Sequence, residues 1–75
     1  MKYLVIIEKG ESGSNYGAYV PDLPGCVSVG KTIEETERMI REAIQLHIEG
    51  MREDGEAIPL PTCIGREVEV EVSES

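Results

Sequence analysis

Histidine and cysteine are scarce in this chain, one and two residues respectively among 75. Two cysteines fall well short of a disulfide framework, and with a single histidine they cannot supply a conventional four-ligand zinc site within one chain. No cofactor is expected. Basic residues are also few, seven Lys and Arg against fifteen Asp and Glu, which leaves a net charge of −8. Binding to nucleic acid draws on clustered cations that release counterions, so this balance argues against DNA or RNA as a direct ligand and points to a basic protein partner. Long apolar runs are missing too. Nothing approaches the roughly 20 residues of a membrane span, and Met1 to Ile7 lacks the basic start and small-residue cleavage site of a secretory signal. The expected location is the cytoplasm, where Cys26 and Cys63 would be free thiols.

What is present reads as one small α+β domain over residues 1–75, in the order β-β-β-α-β. Tyr3 to Ile7 is an unbroken, β-branched apolar run, which reads as a strand buried on both faces and lying inside the sheet. Leu4 and Ile6 point one way, and Tyr3, Val5 and Ile7 the other. Gly10 to Asn15 is a small, polar hairpin loop, and Tyr16 to Val20 is a second strand with Tyr16, Ala18 and Val20 on one face. Pro21-Asp22-Leu23-Pro24-Gly25 is a rigid turn in which Asp22 can bond nearby backbone and Gly25 permits positive φ. Cys26 to Val29 is a short third strand.

Thr32-Ile33-Glu34-Glu35 fits a capping box and starts a helix. Its stripe of Ile33, Ile40, Ala43, Ile44, Ile48 and Met51, with Met39 beside it, follows the 3.6-residue period, and Gly55 is the expected terminator. After the extended connector Pro59-Leu60-Pro61, Glu67 to Val72 alternates strictly between Val68, Val70, Val72 and Glu67, Glu69, Glu71. This pattern predicts a fourth strand, returned parallel to a neighbour by a right-handed crossover.

A chain of this length buries only roughly 60% of the surface its unfolded form exposes, so its core leaves little net stability. With disulfides and a metal set aside, self-association is the favoured aid. One helix covers only one face of a sheet whose first strand is apolar on both, and Tyr3, Val5 and Ile7 are the candidate self-association residues.

The run Tyr19-Val20-Pro21-Asp22-Leu23-Pro24-Gly25-Cys26-Val27-Ser28-Val29-Gly30-Lys31-Thr32-Ile33-Glu34-Glu35 closely resembles the signature of HicB-like proteins, the antitoxins of HicA/HicB toxin–antitoxin modules. The resemblance continues through the apolar first strand, the helix and the proline connector, and so covers nearly the whole chain. It implies a partial RNase H-like fold, in agreement with the order derived above. It also implies a non-enzymatic protein that binds and blocks a small basic RNA-cleaving toxin. Many relatives carry a C-terminal helix-turn-helix or ribbon-helix-helix domain for operator binding. No such domain is expected within these 75 residues. Two other readings stand beside it: an orphan module of this fold with another partner, and a degenerate hydrolase.

Nuclease chemistry on an RNase H-like fold needs a carboxylate projecting from the middle of the central strand toward divalent metal. The middle here is Leu4-Val5-Ile6, and Glu8 lies only at its end. Cys26, His47 and Asp22 form a nucleophile, base and orienting acid on paper, without supporting spacing, and Cys26 and Cys63 read as small packed hydrophobes. Asp22 and the like-charged row Glu67, Glu69 and Glu71 are the candidate contacts for a basic partner. For Asp22 a local hydrogen bond that holds its turn is the favoured alternative, and for the glutamates a solvated edge.

Overall fold

A computed structural model describes residues 1–73. It shows three strands, β1 (Ile6–Lys9), β2 (Tyr16–Tyr19) and β3 (Val27–Gly30), followed by one helix, α1 (Ile33–Glu53). The strands form an antiparallel meander of order β1-β2-β3, with Ile7 opposite Ala18 and Ala18 opposite Ser28.

The turns follow from local chemistry. The Gly10 N–H donates to the Asn15 carbonyl at 2.8 Å and closes the first hairpin. At the second connection the Cys26 N–H donates to the Leu23 carbonyl at 3.1 Å, around Pro24 and a Gly25 at φ +87°. Proline followed by a positive-φ glycine is the arrangement of a type II turn.

β1 lies further along the chain than the Tyr3 to Ile7 expected for it, and at an edge of the described sheet instead of inside it. Continued in the register of Ile6 with Tyr19, Leu4 would face Pro21, which has no N–H to give to a ladder. Residues 3–5 therefore lie beyond the reach of β2.

Thr32 caps α1: its Oγ1 accepts the Glu35 N–H at 3.0 Å, and Glu34 and Glu35 place negative charge in the first turn, where the helix dipole favours it. At the far end the Gly55 N–H donates to the Arg52 carbonyl and the Glu56 N–H to the Met51 carbonyl, with Gly55 at φ +71°. These two bonds make a Schellman motif and confirm Gly55 as the stop.

The core is small. Ala18, Val20, Leu23, Cys26 and Ile40 are buried, with Tyr3, Val5, Ile7, Ala43 and Ile44 packed against them. Ile33 and Met39, expected in the helix stripe, are exposed. Thr36 takes an inner position between them and is fully buried. Its hydroxyl donates to the Thr32 carbonyl at 2.7 Å, so a polar side chain is buried with its bond made. Gly30 is why the fit is so close: a Cβ there would lie 2.5 Å from Thr36 Oγ1 and 2.9 Å from Thr36 N.

The fourth strand is where structure and expectation part. Residues 67–72 belong to no strand, and the described sheet has three. Val68, Val70 and Val72 are 77%, 69% and 78% exposed. The radius of gyration is 15.1 Å, whereas a compact chain of this length has about 11 Å. An alternating pattern makes a strand only where another strand offers its edge, and among the described residues 67–72 meet none.

Candidate interaction surface

Three features of the surface could receive a partner, and each rests on the chain's own pairing rules. The first is the sheet face turned away from α1. Because Ile7, Ala18 and Ser28 lie in the row that meets the helix, the next row, Ile6, Tyr19 and Val27, faces outward. Tyr19, Val27 and Val29 are exposed. These apolar side chains form an open stripe.

The second is a groove of about 690 Å³ between the N-terminal stretch of the chain and α1. Tyr3, Val5 and Ile7 line one side and Ile40, Ile44 and Ile48 the other. Tyr3, Val5 and Ile7 thus help to build the core and front this groove; of the three only Ile7 lies in β1, an edge strand of the described sheet. The expectation that the helix covers one face of β1 and leaves their side bare needs correction: their side is the helix side, incompletely filled.

The third is the segment that follows the helix. Tyr3 donates its hydroxyl proton to the Pro59 carbonyl. Asp22 accepts from the Thr62 hydroxyl at 2.7 Å, the Thr62 N–H at 2.9 Å and the Cys63 N–H at 3.2 Å. Gly65 lies so close to Leu4 that a Cβ would come within 2.9 Å of Leu4 Cδ1. Beyond these ties residues 66–73 are exposed, with Glu67, Glu69 and Glu71 alternating with the valines.

Asp22 and the three glutamates are therefore not brought together into one acidic patch by any contact. Both Asp22 oxygens are engaged within the chain. The Thr62 hydroxyl, then the backbone N–H groups of Thr62 and Cys63, hold its carboxyl below the ordinary value of 3.8. The local bond expected for Asp22 is in fact a clamp across 40 residues. Nothing in the sequence marks Thr62 as its partner, since neither periodicity nor spacing links residues so far apart.

The residues singled out for covalent chemistry are placed apart in role. Cys26 is buried, which pushes its thiol above the ordinary value, away from the reactive thiolate. Cys63, expected to pack as a small hydrophobe, is exposed, with its Sγ 3.6 Å from Asp22 Oδ1. His47 is half-buried on α1 and Glu8 is exposed at β1. Among the described residues, no group of three or more His, Cys, Asp or Glu side chains is placed to hold a metal ion, and no helix is long and apolar enough to cross a membrane.

Residues 3–72 match the family model described as the HicB-like antitoxin of bacterial toxin–antitoxin systems. A UPF0150 protein of Thermoplasma acidophilum is 49% identical over 59 residues, 79% of this chain and 84% of its own length. Antitoxin HicB 1 of Photorhabdus laumondii is 36% identical over 67 residues, 89% of this chain and 43% of the relative. A Haemophilus phage HP1 protein, 49% identical over 59 residues, is likewise matched over 43% of its length. Among solved structures, the N-terminal domain of the Burkholderia pseudomallei antitoxin HicB superposes with a TM-score of 0.68 at 41% identity, covering 81% of this chain and 69% of that one.

Proposed function

Because the chain belongs to the HicB-like antitoxin family of bacterial toxin–antitoxin systems, we propose that it is a non-enzymatic cytoplasmic module that self-associates and masks a small basic HicA-like RNA-cleaving toxin. The observation that carries the reading is the family match across residues 3–72. The net charge of −8 gives it a physical mechanism. An acidic surface laid over a cationic RNA-binding face removes the charge that RNA would use and blocks its approach. Glu67, Glu69 and Glu71, exposed and spaced along one segment, are the residues proposed to meet the toxin, with Asp22 at the base of that segment. The three strands and the helix form the partial RNase H-like unit, and the segment Glu67 to Val72 is its fourth strand once a partner edge is present.

The test is a binding and inhibition assay with the small basic protein encoded beside this chain. The expected result is a complex that stops RNA cleavage and associates more slowly as salt rises to physiological strength, where the Debye length is about 8 Å. Folded protein that neither binds that toxin nor slows its cleavage of RNA would overturn the reading.

A further inference from the structure

We propose that the face of α1 turned away from the sheet is a docking seam for a basic, amphipathic helix of the toxin, with Leu46 as its apolar anchor. This deepens the reading above and rests on its toxin partner. The seam follows from spacing. Glu35, Met39, Glu42, Leu46, Glu49 and Glu53 recur alternately four and three residues apart along α1, which aligns them in one stripe on a helix of about 3.6 residues per turn. The buried Thr36 and Ile40 mark the opposite side of the helix. Glu37, Arg41 and Gln45 line the groove beside Tyr3 and Val5 and mark the flank toward the N-terminal stretch. The seam lies apart from both.

Its composition is not that of an ordinary wet face. Leu46 is 69% exposed and Met39 38% exposed, two apolar side chains in the middle of one stripe. The ionisable residues of the stripe are all glutamates, whereas Arg41 and Arg52 fall on the far flank and Arg38 stands at the border, one turn before Glu42. Glu49 and Glu53 are one turn apart at the end of the helix, where like charges repel and the macrodipole disfavours an anion. A surface shaped for the helix's own stability would carry cations there. These acids cost stability in the free chain and recover it where a cation arrives from outside.

The charges also select the occupant. A second copy laid seam on seam would set glutamates against glutamates, and RNA, DNA and an anionic membrane surface are repelled as well. A basic protein is attracted. Alternating spacings of four and three fit a second helix packed alongside, with its apolar side chains seated around Met39 and Leu46 and its Lys and Arg over the flanking glutamates. At a rise of about 1.5 Å per residue, Glu35 to Glu53 spans about 27 Å, room for about five turns of such a helix. Glu67, Glu69 and Glu71 belong to a separate arm, residues 67–72, exposed beyond the ties at Thr62, Cys63 and Gly65. The seam is therefore a second acidic surface, carried by the most regular element of the fold.

The experiment titrates the full chain and two variants, Leu46→Lys and the triple Glu42→Gln, Glu49→Gln, Glu53→Gln, with the small basic protein encoded beside this chain. All four positions are exposed, so both variants keep their helix by circular dichroism. Leu46→Lys is expected to weaken binding about tenfold, because it sets a cation in the place of the anchor. The triple variant is expected to melt no lower than the unaltered chain, since it removes repulsion at the helix end, and yet to associate more slowly at low salt. Amide shifts on binding are expected at Met39, Glu42, Leu46 and Glu49. Both variants binding as fast and as tightly as the unaltered chain, or shifts that leave residues 39–53 unmoved, would overturn the seam while the antitoxin reading stands. An unaltered chain that binds no toxin overturns both.

Discussion

Val20 and Val70 are the same side chain in two strand-like patterns, 2% exposed in the body and 69% exposed in the arm. Around Val20, β2 lies between two neighbours joined to it by short connections, so its hydrogen bonds are made within the chain and its inner face meets α1. Around Val70 the alternation is the cleaner of the two, yet among the described residues no strand lies alongside. Alternation specifies which side chains share a face and says nothing about where the neighbouring strand comes from. The body is therefore determined by its own turns. The arm, residues 67–72, has no such neighbour among the described residues.

The sharpest way to break that contrast is to remove a side chain the body depends on. Ile40 is 1% exposed at the centre of the helix–sheet contact. Ile40→Ala is expected to cost about 2–5 kcal/mol through lost burial and the cavity left behind. Val70→Ala, at an exposed site, is expected to change the unfolding free energy of the monomer by less than about 0.5 kcal/mol. Urea unfolding of both variants at concentrations low enough to keep the chain monomeric checks the difference. A comparable loss for the two would mean that the arm is packed.

A smaller loss is expected from adding one methyl group to the body. Gly30→Ala places a Cβ where Thr36 N and Oγ1 already stand, so the first turn of α1 must shift or the end of β3 must bend. Overpacking of this kind costs typically about 1–3 kcal/mol. Thermal unfolding is the check, and an unchanged melting temperature would show that the helix start yields freely.

Next in size comes the helix cap. Thr32→Ala removes the acceptor of the Glu35 N–H and should cost about 1 kcal/mol. Toxin binding by the folded variant should be unaltered, because the contact lies within the helix terminus. Lost binding at an unchanged melting temperature would give Thr32 a functional role in place of a structural one.

These effects also mark what a sequence can and cannot disclose. The cap at Thr32, the stop at Gly55 and the turn at Pro24-Gly25 were legible because each depends on residues within one turn of one another. So was the inward set Ala18, Val20 and Ile40, through its periodicity. The burial of Thr36 was not, because it depends on how near Gly30 brings β3 to α1, and a threonine within a helical pattern ordinarily reads as polar surface. The helix covers the Tyr3, Val5 and Ile7 side of β1, a choice between two apolar faces that the first strand itself leaves open. For the candidate surface, the alternation of Glu67 to Val72 was plain, but its lack of a neighbour in the single chain was not. Asp22 was legible as a structural acid, while its partner 40 residues away was beyond any local rule.

The smallest effect concerns the joint between the two regions. Asp22 is held below its ordinary value of 3.8 by bonds to Thr62 and Cys63 that only the carboxylate accepts in full. A lowered value in the folded chain means that the unfolded chain binds the proton more readily, so the clamp's contribution is complete above 3.8 and is lost as pH falls through the lowered folded value. Acid should accordingly release the root of the arm while Ala18, Val20, Leu23 and Ile40 stay packed. Hydrogen exchange at the Thr62 and Cys63 amides, corrected for the intrinsic acid dependence, should quicken across that fall, and exchange at Ile40 should not. Asp22→Asn should show the quickened exchange already at neutral pH, because a neutral amide is a weaker acceptor of the Thr62 and Cys63 donors. Amides at 62 and 63 that exchange alike in both proteins would mean that the connector is held by the Tyr3–Pro59 bond and the Leu4–Gly65 contact, without Asp22.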